Sequence, residues 1–389
     1  YEILPVKSNS GNWLVNGGKT NTADIPSLVS TLLTWERVRS FNVGFDFGAF
    51  SNRLTGSFDY FVRKTVDMVG PAPQLPLVLG IAPAIVNNAD MKSYGFEIEL
   101  SWRDRIGEVD YGVKFNLADA QQKVVKYPNT TNAFNDWYAG KMSGEIWGYT
   151  SLGIAKTDEE MKEHLASLPN GGQNQLGNKW GAGDIMYADI NGDGKVDGGK
   201  GTLADPGDQR IIGNSTPRYN FGLVLDASYK GFDVSIFFQG VGKRDYAPIV
   251  GTNGAVFWGA VNNIWQSMAM EEHFDYFRPE GHPMGANLNG YYPRPDFTSN
   301  KNHQVQTRYL QDASYIRLKN LQIGYTLPKQ WINKLHINRC RVYVSGDNLW
   351  TGTSLASMFD PETLAAGDWG SGKTYPLSKV ISFGLNVNF

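Results

Sequence analysis

The sequence predicts an all-β fold: the wall of a transmembrane antiparallel β-barrel. Three observations predict it. Apolar and polar residues alternate with period two over long runs, and the connections between those runs alternate between very short and very long. No stretch of about 18 apolar residues exists to form a membrane helix.

The runs are read in order. Ser40 to Phe50 places Phe41, Val43, Phe45 and Phe47 on one face, against Asn42, Gly44 and Asp46 on the other. A turn at 50–53 leads to Leu54, Phe58, Tyr60 and Val62 on one face. Tyr94 to Arg103 sets Tyr94, Phe96, Ile98, Leu100 and Trp102 against Glu97, Glu99, Ser101 and Arg103. The next run carries Val109, Tyr111, Val113, Phe115 and Leu117, with Asp110, Lys114 and Asn116 opposed. Tyr219 to Leu225 and Phe232 to Phe238 form a pair joined at Lys230-Gly231. Runs over 313–327 and 339–348 follow, and the chain ends on Ile381, Phe383, Leu385, Val387 and Phe389. The pattern predicts about ten strands.

Strand length favours a membrane barrel over a soluble sandwich. Runs of about 10 residues or more match a tilted membrane crossing, whereas soluble strands average about 5–6. Long loops are expected at 64–91, 122–216, 243–312 and 349–377, with those at 122–216 and 243–312 on the extracellular side. Tyr60, Phe61, Trp102, Tyr111, Tyr219, Tyr229 and Tyr325 are expected to form aromatic girdles at the strand ends, beside lipid or lipopolysaccharide.

Composition agrees. The 36 basic and 38 acidic residues nearly cancel, so no electrostatic reason exists to expect nucleic acid as a partner. Charged residues are 19% and aromatics 13%, with 44 glycines, as in a protein of strands and turns. The sequence begins at Tyr1 without a charged or apolar leader, so a signal segment is expected upstream. The one cysteine, Cys340, reads as a small strand residue.

The sharpest chemical motif is Asp189-Ile-Asn191-Gly-Asp193-Gly194-Lys195-Val-Asp197. Its alternate oxygens resemble the start of a calcium loop, with Gly194 at the tight turn and Lys195 offering its carbonyl. The twelfth position is Lys200 in place of Glu, so Asp205 or Asp208 would supply the missing acid. Bound Ca²⁺ would stiffen a long loop. The alternative is a cluster of Asx and Gly turns ordered by its own side chains. The five histidines are His164, His273, His282, His303 and His336, and none has zinc-ligand spacing. No nucleophile elbow, phosphate loop or dinucleotide motif occurs, so no catalytic residues are assigned.

Aromatics crowd the expected loops. Trp137, Tyr138, Trp180, Trp258 and Trp265 are candidates for stacking on sugar rings or gripping peptides. The alternative is that they pack the loops against one another or against a partner. Residues 158–168 have the spacing of a short solvated helix.

Several segments together resemble the SusC/RagA family of TonB-dependent outer-membrane transporters of Bacteroidetes. They are Trp35-Glu36 with Asn42-Val43-Gly44-Phe45-Asp46, Phe58-Asp59-Tyr60-Phe61, and Gly95-Phe96-Glu97-Ile98-Glu99-Leu100. Ser93 stands where that last pattern has Asn. Gly183-Asp184 through Gly194, Ile212 to Tyr219, Arg308 to Pro328, Arg341 to Ser345, Asp360-Pro361-Glu362 and Tyr375-Pro376-Leu377 continue the match. The terminal Phe389 resembles the signal read by the barrel-assembly machinery.

The resemblance implies the C-terminal portion, over 1–389, of a multi-pass outer-membrane barrel of about 22 strands closed by a plug. The plug, the TonB-contacting segment and the first half of the barrel would lie in an N-terminal part that completes the wall. It also implies a SusD-type surface lipoprotein as partner, and import of oligosaccharides or oligopeptides driven through TonB. Two other classes stay open, and about ten strands is a plausible number for the first. An outer-membrane barrel enzyme of protease or lipase type needs convergent acid/base or Ser/His groups. A soluble carbohydrate-binding β protein is the third reading, and solubility of the isolated chain without detergent would favour it.

Overall fold

A computed structural model describes residues 8–23, 30, 33–71, 84–248, 255–259, 270–296, 299–333, 336–364 and 374–389. Its body is one nine-stranded antiparallel meander in which each strand pairs with its neighbours in sequence. The strands are β1 (Arg37–Ala49), β2 (Leu54–Gly70), β3 (Val86–Ile106), β4 (Val109–Lys126), β5 (Arg218–Tyr229), β6 (Phe232–Lys243), β7 (Tyr315–Thr326), β8 (Arg339–Thr353) and β9 (Val380–Asn388). The nine runs named above are all present in this meander, against the about ten strands expected. A separate hairpin, Ser8–Val15 with Gly18–Ala23, was not anticipated from the period-two pattern.

The strands reach further than their alternation indicated. β2 and β3 are 17 and 21 residues long, so the loop expected at 64–91 shrinks to 71–85. The reason is that β bulges near Met68 and Asp90 break the alternation without ending the ladder. For the same reason the loop at 122–216 begins after Lys126, and the one at 349–377 spans 354–379. The loop at 243–312 lies between Lys243 and Tyr315.

Turn chemistry fixes the register at the short-turn end. Lys230 and Gly231 both take left-handed φ, 47° and 89°, as a two-residue hairpin turn demands. Gly107 does the same at φ 61° between β3 and β4. The connection from β7 to β8 is longer than expected because it includes a one-turn helix, Lys329–Ile332.

Pairing carries the alternation across the sheet. Phe45, Phe58, Ile98, Leu117 and Phe221 stand in one cross-strand row, and Phe47, Gly56, Leu100, Phe115, Leu223, Phe238 and Leu318 in the next. Phe45, Phe47, Leu100, Val342, Phe383 and Leu385 are all exposed on this face. The opposite face aligns Asp46, Ser57, Glu99, Asn116, Gly222, Gln239, Arg317 and Thr351. An exposed apolar sheet face opposite a polar one is the arrangement of a membrane wall. At the turn end the Trp102 indole donates to the Tyr111 hydroxyl (3.2 Å), and the rings of Phe232 and Tyr325 lie 4.5 Å apart. Phe61 is a correction to the expected girdle: it pairs with Asn42 and Gly95, on the polar face.

Position on the two faces therefore decides the cost of a charge. In the full-length protein in lipid, Ile98→Arg is expected to lower unfolding free energy by about 2–4 kcal/mol, and Glu97→Arg by less than about 1. Urea unfolding followed by the gel shift of the folded barrel measures both. Equal costs would show that the two faces are not in different solvents.

Candidate functional site

At the long-loop end, the described residues of 127–217, 244–314 and 354–364 pack into a layer with its own core. Tyr149, Ile185, Tyr187, Val196, Phe257, Trp258, Tyr292, Tyr309 and Phe359 are buried together. The rings interlock edge to face, with Phe257–Trp258 centroids at 4.9 Å and Trp258–Tyr309 at 4.8 Å. Such pairs add about 0.5–1.5 kcal/mol each beyond area burial. His303 packs against Trp258 at 4.6 Å, and burial pulls its pKa down to about 4, so it is neutral at physiological pH.

One carboxylate ties two of these segments together. Asp184 has no solvent exposure. It takes two hydrogen bonds from the Arg294 guanidinium (2.8 and 2.7 Å), one from Lys301 Nζ (2.9 Å), one from Asn302 Nδ2 (2.9 Å) and one from the Gly181 N–H (2.9 Å). Lys301 is itself buried, and its ammonium also lies 5.1 Å from the Trp180 ring centre.

The third segment is clamped to the polar face of the wall. Arg317 on β7, buried, donates to Asp360 (2.8 Å) and to Thr351 Oγ1 on β8 (2.8 Å), and lies 3.2 Å from Glu362. Lys319 Nζ donates to Glu362 at 2.9 Å. Burial pushes the Asp360 carboxyl up, but Arg317 and the backbone N–H groups of Glu362 and Leu377 outweigh it and hold the group below the usual carboxylate range. In the sequence this site showed only as the motif Asp360-Pro361-Glu362. Its cation partners lie 43 residues away, beyond the reach of local pattern.

The Asp189–Asp197 segment folds as a nest of Asx turns. Asp189 accepts from the N–H groups of Gly192 (2.6 Å) and Gly194 (2.8 Å), and Asn191 Oδ1 accepts from Asp193 (3.0 Å). Of the two acids considered for the twelfth position, Asp208 packs against the segment. Fully buried, it accepts from Ile190 (2.7 Å) and Asp197 (2.8 Å). Asp205 instead lies near Lys200. The Lys195 side chain bonds the Asp197 carboxylate and holds that carboxyl below its ordinary range. Among the described residues, no group of three or more His, Cys, Asp or Glu side chains is arranged to hold a metal ion.

The aromatic candidates divide. Trp258 is 1% exposed and belongs to the loop core, so it has no face for a ligand. Trp180 is half-buried against that core, with its indole donating to the Gly177 carbonyl (3.1 Å). Tyr138 donates its hydroxyl to Glu145 at 2.5 Å. Trp137 is 40% exposed and leans on Tyr127. Trp265 lies outside the described residues.

Below the loop layer the polar face of the wall forms a shallow cavity of about 400 Å³, lined by Asp59, Glu97, Glu99, Asn116, Asn220 and Gln239. Lys114 neutralises Glu99 across the strands at 2.7 Å. Gly44 leaves room for Asp59, whose carboxylate would clash with any Cβ there. The surface is one of carboxylates and amides that can hydrogen-bond a polar cargo. Nothing in it pairs a nucleophile with a base.

An antiparallel meander with one apolar and one polar face under a heavy loop layer is the architecture of an outer-membrane β-barrel wall. The chain belongs to the family described as TonB dependent receptor-like, β-barrel, whose model matches residues 7–349. It is 28% identical to TonB-dependent receptor P3 of Formosa agariphila over all of this chain and 38% of that protein. It is 20% identical to TonB-dependent receptor SusC of Bacteroides thetaiotaomicron, over 94% of this chain and 33% of that one. In fold it resembles the RagAB peptide transporter, with a TM-score of 0.68 and 21% identity over the whole chain and 38% of that structure. The chain thus spans between a third and two-fifths of the length of these relatives.

Removing the buried carboxylate tests the loop layer. Asp184→Ala removes the 2.9 Å partner of buried Lys301 and leaves it only Asp296 at 3.9 Å, and breaking a buried pair costs up to about 3–5 kcal/mol. In the full-length protein, hydrogen exchange is expected to speed up across 180–187 and 290–303 while β2–β4 stay protected. Unchanged exchange in those loop segments would show that Asp184 is not their tie.

Proposed function

We propose that this chain is the C-terminal wall and mouth of an outer-membrane importer that takes up oligopeptides or oligosaccharides through TonB, with a SusD-type lipoprotein over the loop layer. The observation that carries the reading is the two-faced wall of a TonB-dependent receptor barrel, with a polar inner surface of amides and of acids paired with bases. Relatives bearing the names SusC and RagAB support the choice of cargo class and partner. The N-terminal part of the same protein supplies the remaining strands, the plug and the TonB contact.

Import by this route is binding and gating. The wall excludes lipid, and its amides and carboxylates exchange hydrogen bonds with a hydrated cargo. The loop layer gives the lipoprotein a rigid seat, because its aromatic core and the Asp184 tie hold the long segments in one shape. No bond in the cargo is made or broken by these residues.

Deleting the full-length gene is expected to abolish growth on at least one member of a panel of oligopeptides and oligosaccharides. Restoring the wild-type gene should restore uptake, and a copy lacking the TonB-contacting segment should not. Unchanged uptake of every panel member in the deletion strain would overturn the proposal.

A further inference from the structure

The outward face of the wall carries a charge pattern that import does not use. Arg39 on β1, Lys64 on β2, Lys92 on β3 and Lys123 on β4 are direct cross-strand partners, each opposite the next. Their positions share the parity of Phe41, Val62, Tyr94 and Gln121, which form the adjoining row. They therefore stand on the apolar face, at the loop end of the apolar band. Arg39 and Lys123 are exposed, and Lys64 and Lys92 are half-buried.

Directly opposed like charges destabilise a sheet, here at three successive strand pairs. Among the described residues none of the four forms an ion pair. Asp67, farther along β2, is taken by Arg37, and Asp119 on β4 is taken by Arg218. Lys92 Nζ instead sits 5.2 Å from the Tyr94 ring centre. Four cations spaced by about 4.8 Å per strand form a ladder about 14 Å wide.

We infer that this ladder is a docking site for the phosphorylated headgroup of an outer-leaflet glycolipid of lipid A type. Depth selects that occupant. The ladder is the next row on the same face beyond Phe41, Val62 and Tyr94, where the apolar band meets the headgroups, so acyl chains can lie along the rows below while phosphates meet the cations above. A soluble anion would gain nothing from those apolar rows. The inference rests on the membrane reading of the outward face and is independent of what is imported.

The test uses the full-length protein extracted in mild detergent. Lipid retained by wild type is compared with that of the combined variant Arg39→Gln, Lys64→Gln, Lys92→Gln and Lys123→Gln, by mass spectrometry. Wild type should retain phosphorylated lipid A, and the variant at least about tenfold less. The combined Lys64→Arg, Lys92→Arg and Lys123→Arg variant should retain it, which separates lost charge from lost fold. Lys114→Gln, on the inner face, should retain as much lipid A as wild type. Added inorganic phosphate should not displace the lipid, and dephosphorylated lipid A should not bind. Equal retention by the glutamine variant, displacement by free phosphate, or equal binding of dephosphorylated lipid would each overturn the site. Growth on the imported cargo reads the transport proposal separately.

Discussion

The backbone hydrogen-bond requirement of a membrane interior governs this structure. In hydrocarbon an unpaired N–H or C=O costs several kcal/mol, so a sheet crosses only if each strand is matched along its length by a neighbour. The simplest chain path that does this is a meander, and β1 to β9 follow one without a crossover. Once the ladder is fixed, side-chain parity follows. Every second residue meets lipid and the others meet water, and a one-residue slip would exchange the two faces. β1 and β9 do not pair with each other, which is consistent with a wall that continues in the remainder of a longer protein.

The loop layer answers to a different constraint. Its segments are too long to be held by their ends alone, and they solve this as a globular domain does, with a core. Burying Phe257, Trp258, Tyr292 and Tyr309 provides the driving force. Buried charges give the layer its particular geometry: Asp184 joins the segments around residues 181 and 301, and Arg317 joins residues 360–362 to the wall. The mouth of the barrel is thereby tied to its inner face by ion pairs rather than by loop length.

These two regimes explain what could be read from the sequence. The strands were legible because lipid on one side and water on the other write a strict period-two code, as in Phe41 to Phe47. The code failed at Met68 and Asp90, where bulges shift the parity, and at Phe61, an aromatic on the wet face. The loops were not legible, because a core built from distant segments has no local period. Trp258 could be read either as a stacking residue or as loop packing, and it is a core residue. The Asp189–Asp197 motif was visible with two readings, a calcium loop or a cluster of Asx turns, and its carboxylates accept backbone N–H groups as in the second; the Lys195–Asp197 pair was not foreseen. Asp184, the tie of the layer, showed only as part of a motif.

The central claim is that the two faces of the wall lie in different solvents. The most direct measurement places single cysteines in turn along 95–101 of β3 in the full-length protein in its membrane. A water-soluble maleimide and a lipid-borne quencher of a cysteine-attached fluorophore then report on each position. The account predicts that 97, 99 and 101 react with the maleimide, and that 96, 98 and 100 respond to the quencher. Uniform aqueous reactivity along the strand would contradict it.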